Sequence, residues 1–157
     1  GTEGRMKRFT AVDLFGGGGG LSEGFEQAGF EIVAGIDIWD TALETFGHNH
    51  PGAEVFHADA RRIRQIPDCD VLIGGAPCYE FSVAKQCIKR TFHLHRFADY
   101  LDRKATIDEC RKEMGFPDDY LFFGTKKEQY IQIGNSVCPP VAKAIAEAIN
   151  KDFEGCG

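Results

Sequence analysis

Hydrophobic residues in the first half of the chain fall into short runs separated by amphipathic segments. Four apolar runs of strand length cover residues 8–15, 31–38, 53–59 and 69–77. Between the first three runs, residues 21–30 and 40–50 carry apolar side chains at helical spacing. Strands and helices that alternate in short units are typical of a parallel sheet covered by helices, so the pattern predicts an α/β fold.

The pattern weakens after Ser82 and returns near Thr106. Thr106 is followed three residues later by Glu109, which is the spacing of a capping box and predicts a helix start. Pro117 and two aspartates indicate a turn. Residues 139–150 begin with two prolines and continue with apolar residues at helical spacing, which predicts a last helix.

Composition narrows the class of protein. A chain of 157 residues with 43% apolar and 27% charged residues fits one globular domain. Its apolar runs are too short to span a membrane, and residues 1–5, before Met6, are interpreted as an expression remnant, so a cytoplasmic location is expected. The six cysteines form no CxxC pair, and the two HxH pairs have no cysteine at metal-site spacing, so no metal site is predicted.

Charge is unevenly distributed along the chain. The net charge is −6, yet Lys85–Lys104 contains six basic and two acidic residues, a local charge of +4. Such a segment suits either a phosphate-facing edge or a solvated helix face, and the sequence leaves both interpretations open.

Five consecutive glycines, Gly16 to Gly20, follow the first predicted strand. A glycine-rich turn at this position lets the backbone approach a ligand, which could be a dinucleotide phosphate or a nucleoside with a short charged tail. Asp13 precedes the glycines, and Asp37 and Asp59 end the second and third strands. Carboxylates there can accept ribose hydroxyls, so we predict a nucleoside pocket; a merely tight turn is the alternative.

Cys78 follows the fourth predicted strand, at the sheet edge where open α/β sheets place their ligands. Pro77 restricts the backbone before it. A thiolate at this position can act as a nucleophile, whereas a buried cysteine usually acts as a small hydrophobe. Position alone does not decide between these two roles.

Three segments carry a specific resemblance: "DLFGGGGGLSEGFEQAGF", "GGAPCYEFS" and "GFPDDY…QIGNSVCPPVAKAIA". Together they resemble signature blocks of the cytosine-5 DNA methyltransferase family, in the family's order, over Lys7–Ser82 and Arg103–Asn150. The resemblance implies a truncated class I methyltransferase fold, a Rossmann-like parallel sheet flanked by helices. It also implies one domain over residues 7–150, with residues 85–104 as a short basic connector.

The resemblance implies S-adenosylmethionine as cofactor, bound at the glycine loop from Phe15 to Gly20. Asp37 would hold the ribose, Asp59 the adenine edge and Ile38 the adenine ring. The full set of implied cofactor contacts is Asp13, Phe15, Gly17, Gly19, Gly20, Asp37, Ile38, Asp59, Ala60, Asn135 and Ser136. Cys78 would be the nucleophile that adds to carbon 6 of a flipped-out cytosine, which activates carbon 5 for methylation.

Two departures from the family pattern bear on activity. Tyr79 and Glu80 stand where the family usually has glutamine and glycine, so a negative charge lies beside the cysteine in the sequence. The twenty residues between Ser82 and Arg103 contain no Glu-Asn-Val block, no Gln-x-Arg-x-Arg block and no recognition region.

Two functions are therefore open. One is a cytosine-5 methyltransferase that is incomplete as an isolated chain, with its missing portion either supplied by another polypeptide or deleted from this one. The other is a non-catalytic S-adenosylmethionine-binding module that regulates or complements a partner methylase. DNA is the expected substrate and RNA an alternative. A nicotinamide-dependent oxidoreductase would rest on the glycines alone.

Overall fold

The structure, a computed structural model, describes residues 8–76 and 105–155. Its centre is a four-stranded sheet in the order β3-β2-β1-β4, and all three strand pairings are parallel. The strands are β1 (Thr10–Leu14), β2 (Glu31–Asp37), β3 (Glu54–His57) and β4 (Val71–Gly74). Each falls within one of the four apolar runs, so the predicted parallel α/β sheet is confirmed.

Five α-helices accompany the sheet in the described residues: α1 (Gly20–Gln27), α2 (Asp40–Asn49), α3 (Ile107–Glu113), α4 (Lys126–Asn135) and α5 (Pro139–Gly155). A 3₁₀ turn, Ala60–Arg62, follows β3. Across the part of the chain that the structure describes, every helix is too short or too polar to cross a membrane.

Strand register places the ends of the strands at one edge of the sheet. Leu14, the last residue of β1, aligns with Ile36 of β2 and with Gly74 of β4. Asp37 aligns with His57 at the end of β3. Because all strands run in the same direction, the segments that follow them converge, which is where open α/β sheets bind ligands.

Close packing of α1 against α5 brings the end of the chain to the same region. A β-carbon on Gly24 would overlap Ala142 and the carbonyl oxygen of Pro139, which lies 2.5 Å away, so glycine permits the approach. The Asn150 side chain also donates a hydrogen bond to the Ala28 carbonyl at 2.7 Å. This packing sets the segment between α4 and α5 beside the glycine loop.

Helix α4 is absent from the sequence predictions. Its start carries a capping box, in which the Thr125 hydroxyl accepts from the Glu128 backbone and the Glu128 carboxylate accepts from the Thr125 backbone. The same threonine-to-glutamate spacing predicted the start of α3 at Thr106, where the structure confirms it. The predicted connector at residues 85–104 lies outside the described residues.

Candidate functional site

A cavity of about 770 Å³ opens at the carboxyl ends of the strands. This volume is within the usual range for small-molecule sites, about 300–1,000 Å³. Five segments form its wall: the glycine loop, the end of β2, the end of β3, the residues after β4, and the end of α4 with the turn that follows it. The predicted site residues that line it are Phe15, Gly17, Gly20, Asp37, Ile38, Asp59, Ala60, Asn135 and Ser136.

The glycine loop turns sharply between β1 and α1. Gly17 and Gly19 have φ angles of +51° and +90°, a region that glycine enters without steric cost. Phe15 also has a positive φ, 61°, which is uncommon for a residue with a side chain. The amide of Gly16 donates to the Ile36 carbonyl at 3.0 Å, so the loop is tied to β2 at its first glycine.

Asp37 links the glycine loop to the start of α2. Its Oδ2 accepts from the Gly17 amide at 2.8 Å, and its Oδ1 accepts from the Trp39 amide at 2.9 Å. Each carboxylate oxygen has two lone pairs, so Asp37 retains capacity for ligand hydroxyls while it holds both backbone segments.

Asp59 forms an ion pair with Arg61, a residue outside the predicted site. The Arg61 guanidinium donates to both carboxylate oxygens, from Nε at 3.0 and 3.1 Å and from a terminal nitrogen at 2.7 Å. Hydrogen bonds from the Arg61 side chain and backbone lower the pKa of Asp59 to about 2. Arg61 lines the cavity and its side chain is 85% exposed, so a ligand group at Asp59 would share the carboxylate with Arg61 or displace it.

Two residues of the predicted set do not line the cavity. Asp13 is fully buried in β1 beneath the loop, where its Oδ2 accepts from the Ser22 hydroxyl at 2.7 Å. Burial raises the pKa of Asp13 to about 7. Gly19 faces away from the cavity: a β-carbon there would lie 2.5 Å from the Tyr120 hydroxyl and 2.6 Å from His50 Nε2. The structure therefore places Asp13 beneath the loop and outside the cavity wall, and we propose that it supports the loop.

Some lining residues were missed in the sequence. Trp39 follows Ile38 directly, Val137 follows Ser136 directly, and Gln132 precedes Asn135 by about one turn of α4. Adjacency to a predicted contact is the signal that could have found them. The further lining residues outside the predicted set are Gly16, Gly18, Leu21, Ile36, Trp39, Ala58, Arg61, Gly75, Ala76, Gln132 and Val137.

The cavity wall offers distinct polar and apolar parts. Ile38 and Phe15 are 66% and 38% exposed, which is unusual for large hydrophobic side chains and suits a flat aromatic ligand group. Asp37, whose carboxylate oxygens keep unused lone pairs, provides a polar group nearby. Gly75 and Ala76 complete the wall after β4, and Cys78, two residues further along the chain, lies outside the described residues.

A family model described as C-5 cytosine-specific DNA methylase matches residues 9–96 and 85–151. The chain belongs to this family. Type II methyltransferase M.NgoPII of Neisseria gonorrhoeae is 32% identical over 93% of this chain, which covers 39% of that relative. Type II methyltransferase M.HgiGI of Herpetosiphon aurantiacus is 45% identical over 46% of this chain and 62% of that protein.

The solved structure of a Spodoptera frugiperda DNMT2 mutant shares the fold at a TM-score of 0.59 and 11% identity, covering 87% of this chain and 98% of that one. The family model confirms the family resemblance, and the shared structure confirms the methyltransferase-type fold. The chain nevertheless spans well under two thirds of the Neisseria methyltransferase.

Methyltransferases of this family use S-adenosylmethionine as methyl donor. The described cavity fits this group, because its wall combines close backbone approach at Gly17, a carboxylate at Asp37 and the exposed side chain of Ile38. Those three features match a charged tail, a ribose and an adenine, respectively.

Proposed function

We propose that this chain carries the cofactor-binding and nucleophile-bearing part of a cytosine-5 DNA methyltransferase. The observation that supports this most strongly is the cavity itself, which gathers nine of the eleven family-implied contacts from four separate segments. If the glycine segment were only a tight turn between β1 and α1, nothing would require the residues after α4 to lie beside it. S-adenosylmethionine supplies the methyl group in this assignment.

The cavity residues divide into three roles. Asp37 accepts the ribose hydroxyls while it holds Gly17 and Trp39. Ile38 and Trp39 cover the adenine, with Asp59 at its polar edge. The glycine loop and the Asn135–Ser136 turn flank the charged tail. Ser136 is itself fixed, because its hydroxyl donates to the Gln132 carbonyl at 2.7 Å.

Cys78 is the nucleophile in this proposal. Cys78 follows Ala76, a wall residue, by two positions in the sequence. The thiolate adds to carbon 6 of the cytosine, and carbon 5 then attacks the methyl group, whose bond to sulfur breaks to leave S-adenosylhomocysteine. Transfer of the carbon 5 proton to water re-forms the 5,6 double bond and expels the Cys78 thiolate. Cytosine must leave the base stack for this attack, so the proposed substrate is single-stranded or flipped.

DNA is the substrate that we propose, with RNA as the alternative. We also propose a role in restriction and modification of DNA, on the similarity to type II methyltransferases, and a cytoplasmic location, where bacterial DNA lies. The missing proton donor and recognition region would come from another polypeptide.

Substitution of Asp37 tests the proposed cofactor site. We expect Asp37→Ala to weaken binding of S-adenosylhomocysteine about 10- to 100-fold, because hydrogen bonds to a carboxylate contribute roughly 1.5–3 kcal/mol. The affinity is measured by calorimetry. Asp40→Ala is the matched control: this exposed carboxylate accepts from the Thr41 amide at 2.8 Å and lies outside the cavity wall. Equal affinities for the two variants would refute the proposed ribose contact.

A further inference from the structure

Gln132 of α4 carries a buried polar atom that the fold leaves without a hydrogen bond. The residue is 2% exposed and belongs to the cavity wall. Its amide nitrogen Nε2 donates to the Phe123 carbonyl at 2.8 Å, whereas its amide oxygen Oε1 has no hydrogen-bond partner among the described residues. A buried acceptor is normally paired, because an unpaired one has lost its bonds to water without replacement.

The chemistry of its neighbour fixes the orientation of the Gln132 amide. A backbone carbonyl only accepts, so the group that faces Phe123 must be the Nε2 donor. A flipped amide would set two acceptors against each other at that carbonyl. The Oε1 acceptor therefore points away from Phe123 in the stable arrangement of this side chain.

Oε1 lies beside the glycine loop. A β-carbon built on Gly18 would lie 3.6 Å from Oε1 and 3.3 Å from the ring of Phe122. Because Gly18 has no side chain, the space of about one methyl group separates the loop from the acceptor. The Gln132 carbonyl also accepts from the Ser136 hydroxyl, so Gln132 is part of the same turn as the Asn135–Ser136 pair. Gln132 thus lies in the part of the wall that we assign to the charged tail.

An unpaired acceptor selects one end of an amino-acid tail. The tail of S-adenosylmethionine ends in an α-ammonium group, which only donates, and in an α-carboxylate, which only accepts. The carboxylate would be repelled by Oε1. The ammonium would instead give this acceptor a charge-assisted hydrogen bond, which is stronger than one between neutral groups.

We propose that Gln132 Oε1 accepts a hydrogen bond from the α-ammonium group of bound S-adenosylmethionine, and that this contact makes the cavity selective for a complete amino-acid tail. Because Oε1 is buried, the ammonium group reaches it by moving the loop slightly outward at Gly18. The inference rests on the proposed function, because it concerns the tail of that cofactor.

A ligand that lacks the amino group tests the contact. The unchanged chain should bind S-adenosylhomocysteine about tenfold more tightly than its des-amino analogue, which keeps the thioether and the carboxylate, because a charged hydrogen bond is lost. Gln132→Met keeps the length of the side chain but has no amide oxygen. It should bind S-adenosylhomocysteine about tenfold more weakly and the analogue with unchanged affinity. Calorimetry measures all four affinities.

Gln129→Met is the matched control. Gln129 lies in the same helix, and its Nε2 also donates to a backbone carbonyl, that of Gly124 at 2.9 Å, but it is outside the cavity wall. This variant should keep the full preference for S-adenosylhomocysteine over the analogue.

Gly18→Ala tests the same contact from the opposite side. The φ angle of Gly18 is outside the left-handed region, so alanine fits the backbone, and its methyl group would occupy the space beside Oε1. The preference for the amino group should therefore fall in this variant although Gln132 is intact.

Two results would overturn the inference. One is equal affinity of the unchanged chain for the two ligands. The other is a preference that survives in Gln132→Met, with both ligands weakened alike, which would make Gln132 a structural contact alone. If Gln132→Met does not fold, survival of the preference in Gly18→Ala overturns the inference instead. Failure of the proposed function is recognised separately, as absence of S-adenosylhomocysteine binding by the unchanged chain, and it refutes this contact as well.

Discussion

The 157-residue chain on its own is expected to transfer no measurable methyl group to DNA. Addition of the Cys78 thiolate to carbon 6 pushes charge onto the cytosine ring, and the family's Glu-Asn-Val glutamate, which protonates the ring nitrogen, is absent from the sequence. General acid catalysis contributes about 10²–10⁴-fold to such steps. Absence of the region that holds the flipped base should reduce the rate further, because positioning of the cytosine lowers the barrier to the same transition state.

Glu80 is expected to oppose the reaction further. Its carboxylate is two residues from Cys78 in the sequence, and a nearby negative charge raises the pKa of a thiol and disfavours the reactive thiolate. Glu80→Gly, which restores the family's usual residue, should therefore increase the rate of Cys78 alkylation by iodoacetamide.

Tritiated-methyl incorporation into mixed-sequence DNA measures transfer, and a 5-fluorocytosine substrate would trap a covalent adduct on Cys78. Addition of a polypeptide that carries the missing blocks should restore incorporation. Incorporation by the chain alone that disappears in Cys78→Ser would contradict the prediction and show that the short chain suffices.

Asp13→Asn is expected to remove a large pH dependence of stability. Burial raises the pKa of Asp13 from 3.8 to about 7, so the folded state retains a proton that the unfolded chain releases. A pKa difference of about 3 between the folded and unfolded chain corresponds to about 4 kcal/mol in the free energy of unfolding. This stabilisation is complete below about pH 4 and is lost as the pH rises through about 7.

The variant should therefore gain stability relative to the unchanged chain, by up to about 4 kcal/mol, as the pH rises from 4 to 8. Urea denaturation at several pH values measures the difference. Asp108→Asn is the opposite control, because hydrogen bonds from Arg111 and Lys112 lower the pKa of Asp108 and its removal costs stability at higher pH. Parallel curves for Asp13→Asn and the unchanged chain would show that Asp13 carries no such proton.

Local patterns predicted the sheet well because each strand lies in a short, mainly apolar segment bounded by turn or helix signals. The run that contains Ala11 and Val12 is buried on both faces, as expected for a central parallel strand. The glycine loop and Asp37 were found for a related reason: turn chemistry and strand ends are local features. Helix α4 was not predicted because its apolar residues do not form a continuous stripe, although the capping-box spacing of Thr125 and Glu128 marks its start.

Contacts between distant parts of the chain could not be predicted from the same patterns. Tyr120 and Gly18 are 102 residues apart, and only the packed structure brings the phenol to the carbonyl. The hydrogen bonds that Arg61 donates to Asp59 and the burial of Asp13 likewise depend on side-chain orientation. Family resemblance named Asp13 as a site residue but could not distinguish a ligand contact from a support beneath the loop.

Calorimetric titration of the chain with S-adenosylhomocysteine, with NADH as comparison, tests the cofactor site most directly. One molecule should bind per chain with an affinity measurable at micromolar protein, accompanied by quenching of Trp39 in the cavity wall. NADH should give no comparable heat, because the wall offers a single nucleoside site. Equal heats for both ligands, or binding of neither, would contradict the assignment of this cavity to S-adenosylmethionine.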